Sequence, residues 1–164
     1  MNIEGSTPNI MAEGIKVVAR NRKAFHDYHI HDKYEAGLVL QGSEIKSIRN
    51  NQVNLREGFV QEREGELWLM SVHITPYKQA GIYGYVEPDR PRKLLLHRKE
   101  ISRIIDELHQ RGYTMVPTQM YLKNGRAKVE VALAKGKRDY DKRQSLSKRD
   151  ADREIQRAIK ERYQ

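Results

Sequence analysis

Residues 26–32 are the first segment whose residue types and spacing could support chemistry. The string reads His-Asp-Tyr-His-Ile-His-Asp, and on a strand His29 and His31 would point to the same side, as two metal ligands do. No third ligand follows at a recognisable spacing, and the chain contains no HExxH sequence. An exposed polar strand accounts for the same pattern. We therefore predict neither a metal nor another cofactor, and we keep a metal-dependent enzyme as an alternative.

Three glutamates, Glu62, Glu64 and Glu66, could provide paired carboxylates for acid–base catalysis. They surround Gly65, which marks a hairpin turn, and no apolar residue is placed to raise the pKa of a carboxyl group there. The sequence has no GxSxG, no GxGxxG and no phosphate-binding loop, and it has no cysteine to act as a nucleophile or a zinc ligand. These residues and motifs therefore indicate no particular reaction.

The charge balance points instead to a polyanionic partner. The chain carries 31 lysines and arginines against 22 aspartates and glutamates, with a net charge of +9 and a pI near 9.7. Nine tyrosines, most of them near basic residues, could stack on bases. A generic single-strand nucleic-acid-binding protein stays open as an alternative. The basic residues that interrupt the strands and loops and support nucleic-acid binding are Lys16, Arg20, Arg22, Lys23, Lys46, Arg49, Arg90, Arg92, Lys93 and Lys128. Of these, the ones that we predict to contact RNA are Arg22, Lys23, Lys46, Arg49, Lys93 and Lys128.

The composition fits one folded domain with a solvated appendage. Hydrophobic residues make up 38% of the 164 positions and the mean hydropathy is −0.84, which is poor in apolar residues for a globular chain. The longest apolar run, residues 67–70, is far shorter than the roughly 20 residues that a membrane helix needs. The first residues do not resemble a signal peptide. We expect a cytoplasmic, monomeric protein that does not contact a membrane.

The elements that would position these side chains are mostly strands. Residues 1–14 show no periodicity and are predicted to form a mobile leader. From residue 15 to residue 135, short apolar runs alternate with turn signals, and the pairs Glu64-Gly65 and Asn124-Gly125 predict hairpins. Residues 43–50 fit a helical turn as well as a bent strand.

One amphipathic helix interrupts the strands, and Gly112 is predicted to cap its C-terminal end. Its apolar stripe consists of Ile101, Ile104, Ile105 and Leu108. Several strands with one clear helix predict a mainly β fold. The expected form is an OB-like antiparallel β-barrel with flanking helices over residues 15–135.

The C-terminal thirty residues differ in character from the rest. They carry eleven basic and six acidic residues, so more than half of the net charge lies there, and their apolar content is too thin for a core. Ser147 and Asp150 resemble a capping box, and Ile155 and Ile159 share one narrow helical face. A helix without packing is marginal in water. We predict that residues 136–164 form a basic tail that is disordered when free and helical against a polyanionic surface.

Four groups of residues, in this order along the chain, carry a resemblance to a known family. They are Asn21-Arg22-Lys23-Ala24 with Tyr34-Glu35-Ala36-Gly37-Leu38, then Gly42-Ser43-Glu44-Ile45-Lys46, then Arg92-Lys93-Leu94-Leu95-Leu96-His97, and Ala134-Lys135-Gly136-Lys137 with Asp141-Lys142-Arg143. From about Lys16 to its end, the chain resembles the bacterial SsrA-binding protein family (small protein B, SmpB). That family binds transfer-messenger RNA (tmRNA) and delivers it to stalled ribosomes, a process called trans-translation. The resemblance implies an OB-like fold, no catalytic activity, and tmRNA and the ribosome as partners.

The resemblance also implies which residues contact the tRNA-like domain of that RNA. Glu35 could accept hydrogen bonds from base edges, or it could instead pair structurally with Lys23 or Lys46. The positions that match the RNA face of the family are Asn21, Glu35, Leu95, His97 and Lys128.

In the family, the tail occupies the decoding centre of the small ribosomal subunit and the empty mRNA channel. Tyr140 stands where many members have His, and Asn51 stands where the family usually has Gly, although Asn also tolerates a positive φ. The tail residues predicted to contact the ribosome are Gly136, Lys137, Tyr140, Asp141, Lys142, Arg143 and Ile159.

Overall fold

The computed structural model describes residues 14–110 and 112–162, and for residues 139–141, 144 and 145 it describes the backbone alone. The predicted leader therefore lies, apart from Gly14, outside the described residues. The strands are β1 (Ile15–Arg20), β2 (Tyr28–Leu38), β3 (Val53–Asn54), β4 (Phe59–Arg63), β5 (Glu66–Met70), β6 (His73–Ile74), β7 (Arg92–Leu95), β8 (Tyr113–Lys123) and β9 (Arg126–Gly136). The helices are α1 (Arg22–Asp27), α2 (Gly42–Arg49), α3 (Arg98–Leu108) and α4 (Asp139–Arg162), and residues Lys78–Ala80 form one 3₁₀ turn.

Seven strands form one antiparallel sheet in the order β1-β8-β9-β2-β7-β5-β4, and β3 pairs with β6. The mainly β fold with flanking helices is confirmed. The observed sheet differs from the predicted barrel in one respect, since it is not closed. No hydrogen-bonded pairing joins its two outer strands, β1 and β4, within the described part of the chain. The reason is that the chain leaves β1 at Asn21 to form α1, and Asn21 donates hydrogen bonds to the carbonyls of Leu55 and Pro117 across the gap.

Both predicted hairpins are present. Asn124 and Gly125 have φ angles of 51° and 81°, and Glu64 and Gly65 have φ angles of 52° and 77°. Two successive positive φ values define the tight turn whose twist matches antiparallel strands. The Asn-Gly turn fixes the register of β8 against β9, with Lys123 opposite Arg126 and Tyr121 opposite Lys128.

The core lies on the inner face of the sheet, under α3. Val129, Val131 and Leu133 are buried on β9, as their alternation with Lys128 and Glu130 predicts. Helix α3 is confirmed, and its predicted apolar stripe packs against the core. Its predicted cap is wrong, since the helix ends at Leu108 with His109 as the capping residue. Gly112, with a φ of 88°, instead lies just before β8.

Residues 43–49 are helical and Asn50 caps the helix, which resolves the alternative left open by the sequence. Helix α2 ends at Arg49, and Asn51 adopts a φ of 60°, so Asn supplies the positive φ that was expected there. Glu44 on α2 is buried and binds both Arg90 and Arg92. Burial alone would raise the pKa of Glu44, but hydrogen bonds from Arg90, the Gln41 amide and Arg92 outweigh it and lower that pKa.

The Arg92 side chain also fixes the loop between β6 and β7. It is fully buried, and its guanidinium group donates hydrogen bonds to the carbonyls of Val72 at 2.6 Å and Pro88 at 2.9 Å. The buried Glu44–Arg92 pair therefore joins α2, β7 and this loop into one unit.

The C-terminal segment is one helix, α4, of 24 residues. The predicted helical conformation is confirmed, whereas the predicted disorder is not what the structure shows. The physical reason is composition, because residues 139–162 contain no Gly or Pro and eight of the 24 are Lys or Arg. The helix begins at Asp139, so Ser147 lies inside it and does not cap it. Within the described residues, no helix is both long and apolar enough to span a membrane.

Candidate nucleic-acid interface

Three of the predicted RNA-contacting residues meet on the outer face of the sheet, around Gly37. The register places Gly37 of β2 opposite Leu95 of β7 and opposite Lys128 of β9. A Cβ atom on Gly37 would lie 3.3 Å from Leu95 Cβ and 3.7 Å from Lys128 Nζ. The missing side chain thus lets an exposed apolar group and an ammonium group approach one another. Glu35 lies two residues earlier on the same face of β2, since side chains alternate along a strand.

The Glu35 carboxylate is held by β8. Its oxygens accept a hydrogen bond from the Tyr121 hydroxyl and lie 3.5 Å from Lys123 Nζ. The hydrogen bond from Tyr121, supported by Lys123, lowers the pKa of Glu35 although partial burial opposes the shift. Burial and the hydrogen bond to Glu35 raise the pKa of Tyr121. The result is a fixed, ionised, 40% exposed acceptor with further lone pairs free for a ligand.

The alternative pairing of Glu35 with Lys23 or Lys46 is wrong. Lys23 Nζ lies 3.0 Å from a Glu57 oxygen, and Lys46 Nζ lies 5.2 Å from the centre of the Tyr77 ring. These two lysines belong to α1 and α2, whereas the partners of Glu35 come from the neighbouring part of the sheet.

A groove of about 370 Å³ continues this face toward α1. Glu130 lies opposite Glu35 in the register and accepts hydrogen bonds from Thr118 Oγ1 at 2.6 Å and Gln119 Nε2 at 3.2 Å. Lys33 Nζ lies 3.7 Å from Glu130 and 5.5 Å from the centre of the exposed Phe25 ring. Arg20 and Arg22 complete the groove. It combines an aromatic surface, cations and fixed acceptors, the groups that bind unpaired nucleotides.

Asn21 is buried, with a relative exposure of 3%. Its Oδ1 accepts a hydrogen bond from the Ala24 amide at 3.1 Å, and its Nδ2 donates to the carbonyls of Pro117 at 2.9 Å and Leu55 at 3.1 Å. These three bonds occupy both polar atoms of the side chain and fix the start of α1. Direct contact between Asn21 and RNA stays a prediction, while its structural effect is to position Arg22.

The remaining predicted residues of the body lie on three elements. Lys93 is on β7, on the same face as Leu95, and its Nζ lies 3.9 Å from Glu66. His97 is exposed at the start of α3, where its backbone amide donates to Glu100 at 3.2 Å. Arg49 lies on α2 and its carbonyl accepts a hydrogen bond from Lys16 at 3.3 Å. Lys93 and Leu95 thus share the sheet face, and Lys46 and Arg49 form a separate basic region on α2.

The residues at the start of the tail contact α1. The Lys137 backbone amide donates to the Asp27 carbonyl at 2.9 Å, and Lys137 Nζ donates to the Phe25 carbonyl at 3.2 Å. Lys142 Nζ lies 4.0 Å from the Asp27 carboxylate, whose pKa is lowered first by a hydrogen bond with His26. Gly136 is the last residue of β9 and lies opposite Tyr28. No motif or periodicity in the sequence predicts this contact between α1 and the tail.

The other predicted tail residues lie on α4. Arg143 is exposed, and Ile159 is 54% exposed, as expected for an apolar face without a partner in the chain. The side chains of Tyr140 and Asp141 lie outside the described residues.

The sequence profile of the SmpB protein family matches residues 18–161. The chain belongs to the SmpB family. It is 60% identical over 147 residues to the SsrA-binding protein of Roseiflexus sp. (strain RS-1), which covers 90% of this chain and 93% of that protein. It is also 53% identical over 148 residues to the SsrA-binding protein of Carboxydothermus hydrogenoformans, which covers 90% of this chain and 99% of that protein.

A solved structure of an SmpB chain has the same fold. That structure is described as "tmRNA-SmpB: a journey to the center of the bacterial ribosome", and its chain superposes with a TM-score of 0.64 at 42% identity. The match covers 79% of this chain and 94% of that one. The resemblance of the four sequence groups to the SmpB family is thereby confirmed.

The histidine cluster has no metal-binding geometry in this SmpB-family chain. His26 lies on α1 with Nδ1 at 2.9 Å from Asp27, whereas His29 and His31 lie on β2. Among the described residues, no three His, Asp or Glu side chains come close enough together to hold a metal ion.

Sequence reasoning missed Tyr121 and Lys123, the two partners of Glu35. A signal for both was available, because the two-residue turn at Asn124-Gly125 places Tyr121 opposite Lys128, a residue already predicted to contact RNA. The pairing of β2 with β9, which brings Glu35 beside them, joins residues about a hundred positions apart and gives no local signal.

Proposed function

We propose that this protein binds the tRNA-like domain of tmRNA and delivers it to stalled ribosomes for trans-translation. The observation that supports this most is the outer-face cluster, in which Glu35, Leu95 and Lys128 meet around Gly37. Relatives of the chain carry the name SsrA-binding protein, and a solved SmpB chain comes from a tmRNA–ribosome structure. Because a protein that acts on ribosomes must be present where they translate, we expect it in the cytoplasm.

The cluster supports selective as well as tight binding. Lys128 and Lys123 attract phosphates without regard to sequence, since phosphate contacts carry no base information. The ionised Glu35 carboxylate would repel phosphates and accept hydrogen bonds from N–H groups at exposed base edges, which occur in RNA loops. Leu95, which is 51% exposed, provides an apolar surface for a base or a sugar. The protein acts by positioning RNA, and no side chain is assigned a catalytic step.

The tail performs the second task. Residues 136–164 enter the decoding centre and the mRNA channel of the small subunit, where the basic side chains contact ribosomal RNA. Lys137, Lys142 and Arg143 lie at the start of this segment. Ile159 gives the helix one apolar contact, which would fix its position in the mRNA channel, whereas charge alone attracts the helix to RNA at any position.

The test compares the affinity for the tRNA-like domain of tmRNA with the affinity for an unrelated hairpin RNA of equal length at moderate salt. We expect Glu35→Gln to lose about 1–3 kcal/mol of discrimination, the usual value of a well-placed polar contact to a base. Gln retains an oxygen for the Tyr121 hydrogen bond, so the fold is kept. Glu64→Gln, at the tip of the β4–β5 hairpin, is the matched control and leaves the discrimination unchanged.

The pH dependence sharpens the same test. Because the pKa of Glu35 is lowered, its acceptor oxygens stay ionised and their contribution to the discrimination stays constant from about pH 6 to pH 8. It falls only as the pH drops through that lowered pKa. Equal affinity of the wild type for the two RNAs would contradict the proposed function, and tight binding to unstructured oligonucleotides would favour the single-strand-binding alternative.

A further inference from the structure

A second cleft, of about 480 Å³, borders α1 and is completed by the tail helix. Its volume is within the range of roughly 300–1,000 Å³ that small-ligand pockets occupy. The charged or titratable side chains that line it are Arg20, Arg22, Lys23, His26, Arg56 and Arg149. Arg149 belongs to α4 and the other five belong to the body, so the tail supplies one wall of the cleft.

Positive charge in this cleft exceeds the negative charge beside it. Five of the six side chains are lysine or arginine, and no carboxylate among the described residues lines the cleft. Glu57 is adjacent, with one oxygen 3.0 Å from Lys23 Nζ and 4.0 Å from Arg56 Nε. The Asp27 carboxylate is also nearby, 2.9 Å from His26 Nδ1. Two carboxylates cannot neutralise five cations, and like charges held together repel one another unless an anion enters. The cleft therefore fits an anionic ligand.

The chemistry of the lining selects phosphate. Four of the cations are arginines, whose planar guanidinium groups match the geometry of phosphate oxygens. The outer sheet face is different, because it carries the fixed acceptors Glu35 and Glu130, which suit base edges. Arg20 and Arg22 border both this cleft and the groove on the sheet face, so one strand can pass from one to the other.

We propose that the cleft between α1 and α4 binds phosphates of the RNA backbone, and that Arg149 closes over them from the tail. The inference rests on the proposed function only in that the anion is RNA. Bound phosphate would reinforce the contact of Lys142 with Asp27, since both hold α4 beside α1. The RNA would then join the tail helix to the body.

The test measures the salt dependence of binding of the full-length protein to the tRNA-like domain of tmRNA. Each phosphate contact contributes about 0.9 to the slope of log K against log salt concentration. We expect Arg56→Gln and Arg149→Gln each to lower the slope by roughly 1, the loss of one phosphate contact. Arg157→Gln is the matched control, because it removes the same charge from an exposed site on α4 that lies outside the cleft. The control should leave the slope unchanged.

Equal slopes for Arg149→Gln and Arg157→Gln would overturn the inference, since the tail would then contribute only general charge. All three arginines are exposed, and unchanged thermal unfolding of each variant verifies folding. The outcome is separable from the proposed function. A wild type that prefers the tRNA-like domain, with variants that do not differ, contradicts the cleft alone. A wild type without that preference contradicts the proposed function, whereas a slope difference on either RNA still supports the cleft.

Discussion

Helices α3 and α4 are held in place by different forces. Helix α3 has 11 residues and buries Ile101 and Ile104 against the core. Helix α4 has 24 residues, and every side chain described from residue 146 to residue 162 is exposed. Burial of an apolar stripe ties α3 to one position, whereas α4 depends on helix propensity and on the contacts of its first turns with α1. A helix of the second kind can be repositioned by a charged partner.

The charges of the two regions differ in the same way. In the body, the Glu44 and Arg92 side chains pair at 2.8 Å with exposures of 3% and 0%. In the tail, Arg153 and Asp150 pair at 3.8 Å with both side chains about 70% exposed. Water and salt screen the exposed pair, so it contributes little to stability. In the buried pair, water cannot solvate either charge if its partner is removed, so loss of one partner is strongly destabilising. The buried charges of the body therefore stabilise the fold, whereas the exposed charges of the tail are available to a ligand.

The largest expected effect separates the tasks of the two regions. Deletion of residues 138–164 should abolish tagging of stalled chains, because the ribosome-binding tail is lost. Lys137, which is bonded to Asp27 and Phe25, is retained. The affinity for the tRNA-like domain should fall by less than about tenfold, or about 1.4 kcal/mol, since most contacts come from the body. Tagging assays and filter binding measure the two activities. Complete loss of RNA affinity would show that the body does not bind on its own.

The next effect concerns stability. Glu44→Ala leaves two arginines without their buried counter-charge and should lower the free energy of unfolding by about 3–5 kcal/mol, measured by urea denaturation. Glu161→Ala, in the exposed tail, should change it by less than about 0.5 kcal/mol. If the two substitutions lowered the free energy of unfolding equally, the distinction between charges that stabilise the fold and charges that are free to bind a ligand would not hold.

The smallest effect concerns the helices themselves. Ala158→Gly in α4 should reduce the helical signal in far-ultraviolet circular dichroism, since glycine costs about 1 kcal/mol and no packing compensates. Ser102→Gly, exposed on α3, should leave the helical signal intact because the buried isoleucines hold that helix. If deletion of residues 138–164 removed no helical signal per molecule, the result would instead support the disordered tail that the sequence predicts.

Local signals in the sequence predicted much of this fold. The Asn124-Gly125 turn, the alternation around Val129 and the stripe of Ile101 and Ile104 each depend on neighbouring residues, and the structure confirms all three. The missing pairing between β1 and β4 was not predictable from local signals, because it depends on the hydrogen bonds of Asn21 to the distant residues Leu55 and Pro117. The capping motif at Ser147 predicts a helix that starts there, whereas α4 begins at Asp139 because helix propensity is uninterrupted from that residue onward.

The candidate site was predictable to a similar degree. The resemblance to a family placed Glu35, Leu95 and Lys128 at one interface, and the structure does bring them together. The contact between Asp27 and Lys142 joins residues 115 positions apart and depends on where the last strand ends. No periodicity or turn motif reports a contact of that kind, since it follows from tertiary packing alone.

The connection between β9 and α4 has a mechanical consequence. Only Lys137 and Arg138 separate the end of the strand from the start of the helix, and Lys137 is bonded to α1. A helix of 24 residues is a rod of about 36 Å, so a rotation of the body by about 10° would swing the far end by about 6 Å. For as long as the contacts with α1 hold, the short connection thus converts a small tilt of the body into a large displacement at the far end of α4.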